Sequence, residues 1–164
     1  MSASLYHWTK TWDVSLSSSY TPSQDADRPD QEKLSVSQDL TLTLRPTEKI
    51  GSTLGLSLWQ EREQWTGSQS GGNTASVSLW CGPFLTGHTL DLWGSYSRGR
   101  ANDGSWDGHS VSASAMLSQR LGRTALGDAT LSMELGYNFY FDAASSTSSS
   151  DELYGRIILK LFDF

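Results

Sequence analysis

The chain has 164 residues and a formal net charge of -6, with 12 Lys and Arg against 18 Asp and Glu. That balance leaves no basic stripe to neutralise phosphates and excludes a nucleic-acid partner. Charged residues make up 18% of the sequence, below the roughly 25% of ordinary soluble domains, and the single cysteine, Cys81, excludes an internal disulfide and a cysteine-based zinc site.

One domain is expected over residues 1–164. The opening MSASLYHW has neither a charged n-region nor an apolar h-region, so it does not read as a signal peptide, and an exported chain is expected here in processed form. Residues 1–9 are read as an N-terminal tail. From there the chain alternates apolar and polar residues with period two, the pattern of a strand with one apolar face. In 11–20, Trp12, Val14, Leu16 and Tyr20 share one side, with Asp13, Ser15 and Ser17 opposite. In 33–44, Leu34, Val36, Leu40, Leu42 and Leu44 are interrupted by Gln38 and oppose Ser35, Ser37, Asp39, Thr41 and Thr43.

The same alternation returns in 52–59, 74–81, 89–96, 110–119, 130–141 and 154–164. That makes eight predicted strands, each near the ~9–11 residues that cross a bilayer at a tilt. Between them the connections alternate in kind. Segments 21–32, 61–73, 97–108 and 142–152 are long and hydrophilic, whereas 45–49, 82–88 and 121–129 are shorter. All four prolines, Pro22, Pro29, Pro46 and Pro83, fall in connections or at strand ends, as the missing N–H requires. An up-and-down antiparallel barrel with unlike ends is the expected fold, with both termini on the short-turn side.

Which face points inward decides the function class. A soluble barrel needs Lys and Glu on its water-facing positions, yet residues 74–78 and 110–114 carry only Ser and Thr on the polar side. An eight-stranded barrel is just wide enough for side chains, so small hydroxyl residues fit inside it better than Leu, Tyr, Phe and Trp. The apolar face is therefore expected to meet lipid, with aromatic residues Trp12, Tyr20, Phe84, Tyr96 and Tyr137 to Phe141 towards its edges. Gln38 is at odds with that face; Lys10, in phase with Trp12, is placed to snorkel.

The eight alternating segments, four polar loops, three shorter turns and the final YGRIILKLFDF resemble a small bacterial outer-membrane β-barrel, of the plan of the OmpA transmembrane domain and OmpX-type proteins. The resemblance covers nearly the whole chain and implies an all-β, eight-stranded antiparallel up-and-down transmembrane β-barrel in the bacterial outer membrane, with residues 1–9 a periplasmic tail. It also implies contact with outer-membrane lipid and with the barrel assembly machinery, the latter reading the terminal strand through Phe162 and Phe164. Those two aromatics are out of phase with Ile157, Leu159 and Leu161, so a bulge or a frayed end is expected there.

On the polar face the exceptions to Ser and Thr carry the chemistry. Counting outward from hairpin centres places Asp13 near Asp39, and Glu134 near Arg156 and Lys160. Closure then joins Asp39, Asp13, Arg156, Lys160 and Glu134 into one charged belt in the lumen, expected as a pairing network because unpaired charges there cost several kcal/mol each; an ion path is the alternative. Trp80 and Trp93 are expected nearly opposite each other on the lumen side of neighbouring strands, an aromatic pair that narrows the bore on the side away from the belt. Trp65 and Trp106, in loops, are candidate surface contacts for a protein partner, and Cys81 on the lipid face is a second place for one.

No catalytic, metal or cofactor site is expected. The three histidines His7, His88 and His109 are scattered, and His109 and Ser110, being adjacent, point to opposite faces. Acidic loop stretches 25–32 and 102–107 lack the spacing of a calcium loop. The expected function is a barrel presenting four polar surface loops, structural or for recognition, with a mostly plugged lumen. A narrow channel for ions or small solutes is second; a lipid-modifying enzyme and a soluble ligand-binding barrel follow.

Overall fold

The computed structural model describes residues 1–24, 32–64, 66–84, 87–124, 127–144 and 149–162. Among these the protein is all-β: β1 (Ser2–Trp8), β2 (Trp12–Gln24), β3 (Glu32–Thr47), β4 (Ile50–Glu63), β5 (Gln69–Phe84), β6 (His88–Ala101), β7 (Asp107–Thr124), β8 (Gly127–Asp142) and β9 (Ser149–Phe162). They form one sheet in the order β1 to β9, every neighbouring pair antiparallel.

Nine strands replace the expected eight. The tail SASLYHW is itself a strand, with Leu5 opposite Leu16 and Trp8 opposite Asp13. Thr9 folds it back: its hydroxyl donates to the Trp12 carbonyl at 2.8 Å and accepts from the Trp12 N–H at 3.0 Å. At seven residues it falls short of a spanning strand, which is why its alternation reads weakly. It also moves the N-terminus to the long-connection end, not the short-turn end.

The sheet is open. β1 pairs only with β2 and β9 only with β8, and no contacts join the two edges among the described residues. The strands are also longer than the apolar pattern implies, 14 to 18 residues from β3 onward. Pairing continues into hydrophilic segments, so the long connections shrink to 25–31, 64–68, 102–106 and 143–148 against 48–49, 85–87 and 125–126. The unlike ends persist in milder form. All three register shifts, at 44–47, 81–84 and 120–122, lie at the short-turn end, where bulges sharpen strand twist.

Burial is inverted relative to an ordinary domain. The hydroxyl and glycine face is the covered one: Ser132, Thr43, Gly51, Gly99, Gly108 and Gly136 are buried. Leu56 and Leu135, on the other face, are 54% and 58% exposed. The only buried hydrophobic residues described are Ala101 and Ala129, and no large side chain is fully buried. A flat single sheet exposes both faces alike, so the difference means that the sheet curls towards its small side chains.

Glycines on the inner face take the aromatic rings of neighbouring strands. Trp80 lies on Gly51, Tyr154 on Gly136, and Trp106 on both Gly99 and Gly108. A ring covering a strand glycine restores the packing that the missing side chain forfeits. Gly51→Val places branched carbons inside the Trp80 ring and is expected to lower stability by about 1–3 kcal/mol in urea unfolding. Gly94→Ala, whose added Cβ meets nothing nearer than 3.8 Å, should be tolerated.

Candidate functional site

The inner face is a set of polar rows closed across strands. Ser19 and Ser37 hydroxyls meet at 2.8 Å, Ser97 and Ser110 at 2.6 Å, Ser118 and Ser132 at 2.8 Å, and Thr43 and Thr53 at 3.3 Å. Each pair is directly opposite in the register, the arrangement in which side chains on one face come closest. Among the described residues no buried side-chain nitrogen or oxygen lacks a partner.

Charges enter these rows singly, and Asp13, Asp39 and Glu134 each have partners of their own. Asp39 stands between Ser17 and Ser57 and accepts from both, at 3.4 and 2.6 Å. Asp13 lies opposite Thr43, not near Asp39, and pairs with Arg45 from the end of β3. Glu134 faces Arg156, whose Nε donates to Oε2 at 2.6 Å, while the Tyr154 hydroxyl donates to Oε1 at 3.4 Å. Lys160 faces Thr130 instead. In the open sheet β9 does not meet β1 or β2, so the charges expected as one belt lie in two groups, Asp13 and Asp39 towards one edge and Glu134 and Arg156 towards the other.

Trp80 and Trp93 are not opposite each other. Trp80 faces Asp91 and leans onto Gly51, whereas Trp93 faces Ser78 and stays 45% exposed. Trp106 folds onto the inner face at the long-connection end, its Nε1 donating to the Tyr140 hydroxyl at 3.2 Å and its ring 6.5 Å from Trp59. Trp65 and Phe164 lie outside the described residues. The β8–β9 register is unbroken through Phe162, opposite Asp128, so no bulge intervenes.

Sequence reasoning missed several groups. Lys33 and Glu61, at 2.8 Å, form an inner-face pair at the long-connection end. On the outer face Arg98 donates to Asp107 through Nε and Nη2 at 3.3 and 3.2 Å, and His109 meets the Tyr96 hydroxyl at 2.9 Å. Ser110, on the other face, bonds Ser97 and not His109. In the connection 102–106 the Ser105 hydroxyl and N–H bond the Asp103 carboxylate and hold its pKa below the usual carboxylate range. Among the described residues no group of acidic, His and Cys side chains is arranged to hold a metal.

Comparison with protein-family models, curated proteins and solved structures found no match. The geometry alone therefore carries the functional argument, and its most heavily constrained element is Glu134 with Arg156 and Tyr154. The Glu134 side chain is 9% exposed, whereas that of Arg156 is 62% exposed. Arg156→Met leaves a covered carboxylate with only the long Tyr154 bond. It should lower the urea midpoint, by less than breaking a fully buried pair would, because the guanidinium is solvated. Adding Glu134→Gln should recover most of that loss in a double-mutant cycle; additive losses would mean that the two side chains do not interact.

Proposed function

We propose that the chain is an integral outer-membrane β-barrel whose apolar face meets hydrocarbon and whose longer connections form a surface for recognition or envelope structure. One observation carries this reading: the aliphatic side chains are on the exposed face while hydroxyls are covered. A Leu, Ile or Met left in water forgoes ~1.5–3 kcal/mol of burial. A handful of such residues already outweighs the ~5–15 kcal/mol that holds a domain folded, so a soluble monomer with this surface is disfavoured.

The dimensions support the same reading. Four outward rows, from Leu40–Leu56–Ala75–Tyr96 to Ile50–Cys81–Leu90–Leu117, are nearly all apolar. Rows repeat every second residue, about 6.8 Å along a strand, so these rows span roughly 20–25 Å, the height of a lipid-facing band. Trp12, Tyr20, Tyr96, Tyr137 and Phe141 stand exposed on this face, as interfacial belts require.

A membrane barrel needs a seam, because unpaired backbone groups in lipid cost several kcal/mol each. β1 and β9 run in the same direction, since every neighbouring pair between them is antiparallel. β9, with 14 residues, and β2, with 13, match in length and run antiparallel. We assign the seam to β9 on β2, giving eight spanning strands with β1 displaced. A narrow channel is the second reading, favoured by the rings of Trp80 and Tyr154 taking the space over glycines of the neighbouring strands, which leaves less of them at the axis.

In detergent the protein is expected to show a heat-dependent shift on SDS gels, and Leu135→Arg should lower its stability in lipid by about 2–4 kcal/mol. A water-soluble monomer would overturn the membrane reading. Removing residues 1–9 should leave the heat-dependent shift intact; its loss would place β1 in the seam. Planar-bilayer recordings separate the two readings of the lumen, with steps that change in Glu134→Gln expected only for a channel.

A further inference from the structure

Outside the aliphatic band, the outer face carries one hollow of a different character. Its axis is a single cross-strand row, Val36–Gln60–Gly71–Arg100. Gly71 supplies no side chain between Gln60 and Arg100, and the gap opens a groove of about 620 Å³ that also takes in Gln38, Leu58 and Asn102. A Cβ on Gly71 would come within 3.1 Å of the Trp59 carbonyl oxygen, so the hollow depends on that glycine.

The chemistry of the rim is specific. In a chain of net charge -6, Arg62, Arg98 and Arg100 occupy outward positions on β4 and β6, the two strands that flank β5, against two outward acidic groups: Asp107, opposite Arg100 and paired to Arg98, and Glu32, in phase with Leu34. Cationic charge therefore exceeds acidic charge here. Neutral amides fill the remaining polar positions, which suits hydroxyl and amide groups of a sugar. The next row towards the short turns is Gln38–Leu58–Asn73–Arg98, and beyond it the surface becomes Leu40–Leu56–Ala75–Tyr96. Cations and amides thus stand directly above an aliphatic floor. Gln38, at odds with a lipid-facing strand, lines this groove.

We propose that this groove binds the headgroup of a phosphorylated glycolipid, with Arg100 and Arg62 on phosphate, Gln38, Gln60 and Asn102 on the sugar, and acyl chains along Leu40 and Leu56. Guanidinium groups favour phosphate because their forked donors match its oxygens. This site rests on the membrane reading proposed above, since only there does a lipid lie against the outer face, and it places the long connections in the leaflet that holds such a lipid.

The test uses the full-length protein in detergent micelles, with binding followed by native mass spectrometry. Bis-phosphorylated lipid A is the probe, compared with the same lipid freed of phosphate and with phosphatidylglycerol. Lipid A is expected to bind about tenfold more tightly than either, with Arg100→Ala or Arg62→Ala each removing about tenfold, in line with the loss of a charge-assisted hydrogen bond. Lys49→Ala, at the short-turn end, should change nothing. Gly71→Leu should abolish the preference by filling the groove; Arg100→Gln provides the same test without altering backbone packing. Equal binding of the dephosphorylated lipid, or unchanged binding in both arginine variants, overturns the site. Equal binding of phosphatidylglycerol overturns the glycolipid assignment. A protein that stays monomeric in water and takes up no lipid overturns the membrane reading itself, a result distinct from lipid uptake without preference.

Discussion

The structure depends on the size difference between the two faces of its strands. Ser, Thr and Gly on one side and Leu, Tyr and Phe on the other force the sheet to curl towards the small residues, as the exposure pattern records. Curling covers the polar groups, and covered polar groups must be bonded. Short hydroxyls directly opposite one another can bond across the strand spacing without a mediator, as Ser97 with Ser110 and Ser118 with Ser132 do. The same side chains that set the curvature thus satisfy its consequence.

Period-two alternation made the apolar face of most strands legible, because each strand residue's side follows from its neighbour's. Strand ends were not legible. In 61–63 and 97–101 both faces become polar, so the apolar signal disappears while the backbone ladder continues. Registers inherit that error. Asp13 meets Arg45 because β3 runs past its last leucine to Thr47, a stretch that reads from composition as a turn. The β8–β9 hairpin, by contrast, keeps one unbroken register, and there counting from its centre is enough to bring Glu134 and Arg156 together.

Aromatic placement lay beyond pattern reading for a different reason. Whether an inner-face ring projects along the axis or lies flat is decided by the residue on the next strand, which no single segment reveals. Gly51 beside Trp80 and Gly136 beside Tyr154 decide it here. The relevant signal was present in the sequence as glycines in the phase of the serines. It becomes readable only once the register is known, since a one-residue slip would put each of those glycines on the outer face.

Strand parity constrains what the open sheet can become. Nine strands in strict up-and-down order leave both outer strands pointing the same way, so joining them would make one parallel seam in an otherwise antiparallel sheet. A twofold axis along the barrel does not help, because it preserves strand direction and again sets β9 of one copy parallel to β1 of the other. A perpendicular twofold gives antiparallel contacts but turns one copy's long connections to the opposite side, which the unlike faces of the proposed membrane setting would forbid. β1 covers Asp13–Ser19 of β2, with Met1 on Tyr20 and Thr9 on Trp12 at the two ends, and leaves that edge open at Thr21–Gln24. On the proposed seam β9, with 14 residues, would run the length of that edge. On the proposed closure β1 and β9 would compete for one set of backbone donors and acceptors, and the longer strand would gain more hydrogen bonds by winning.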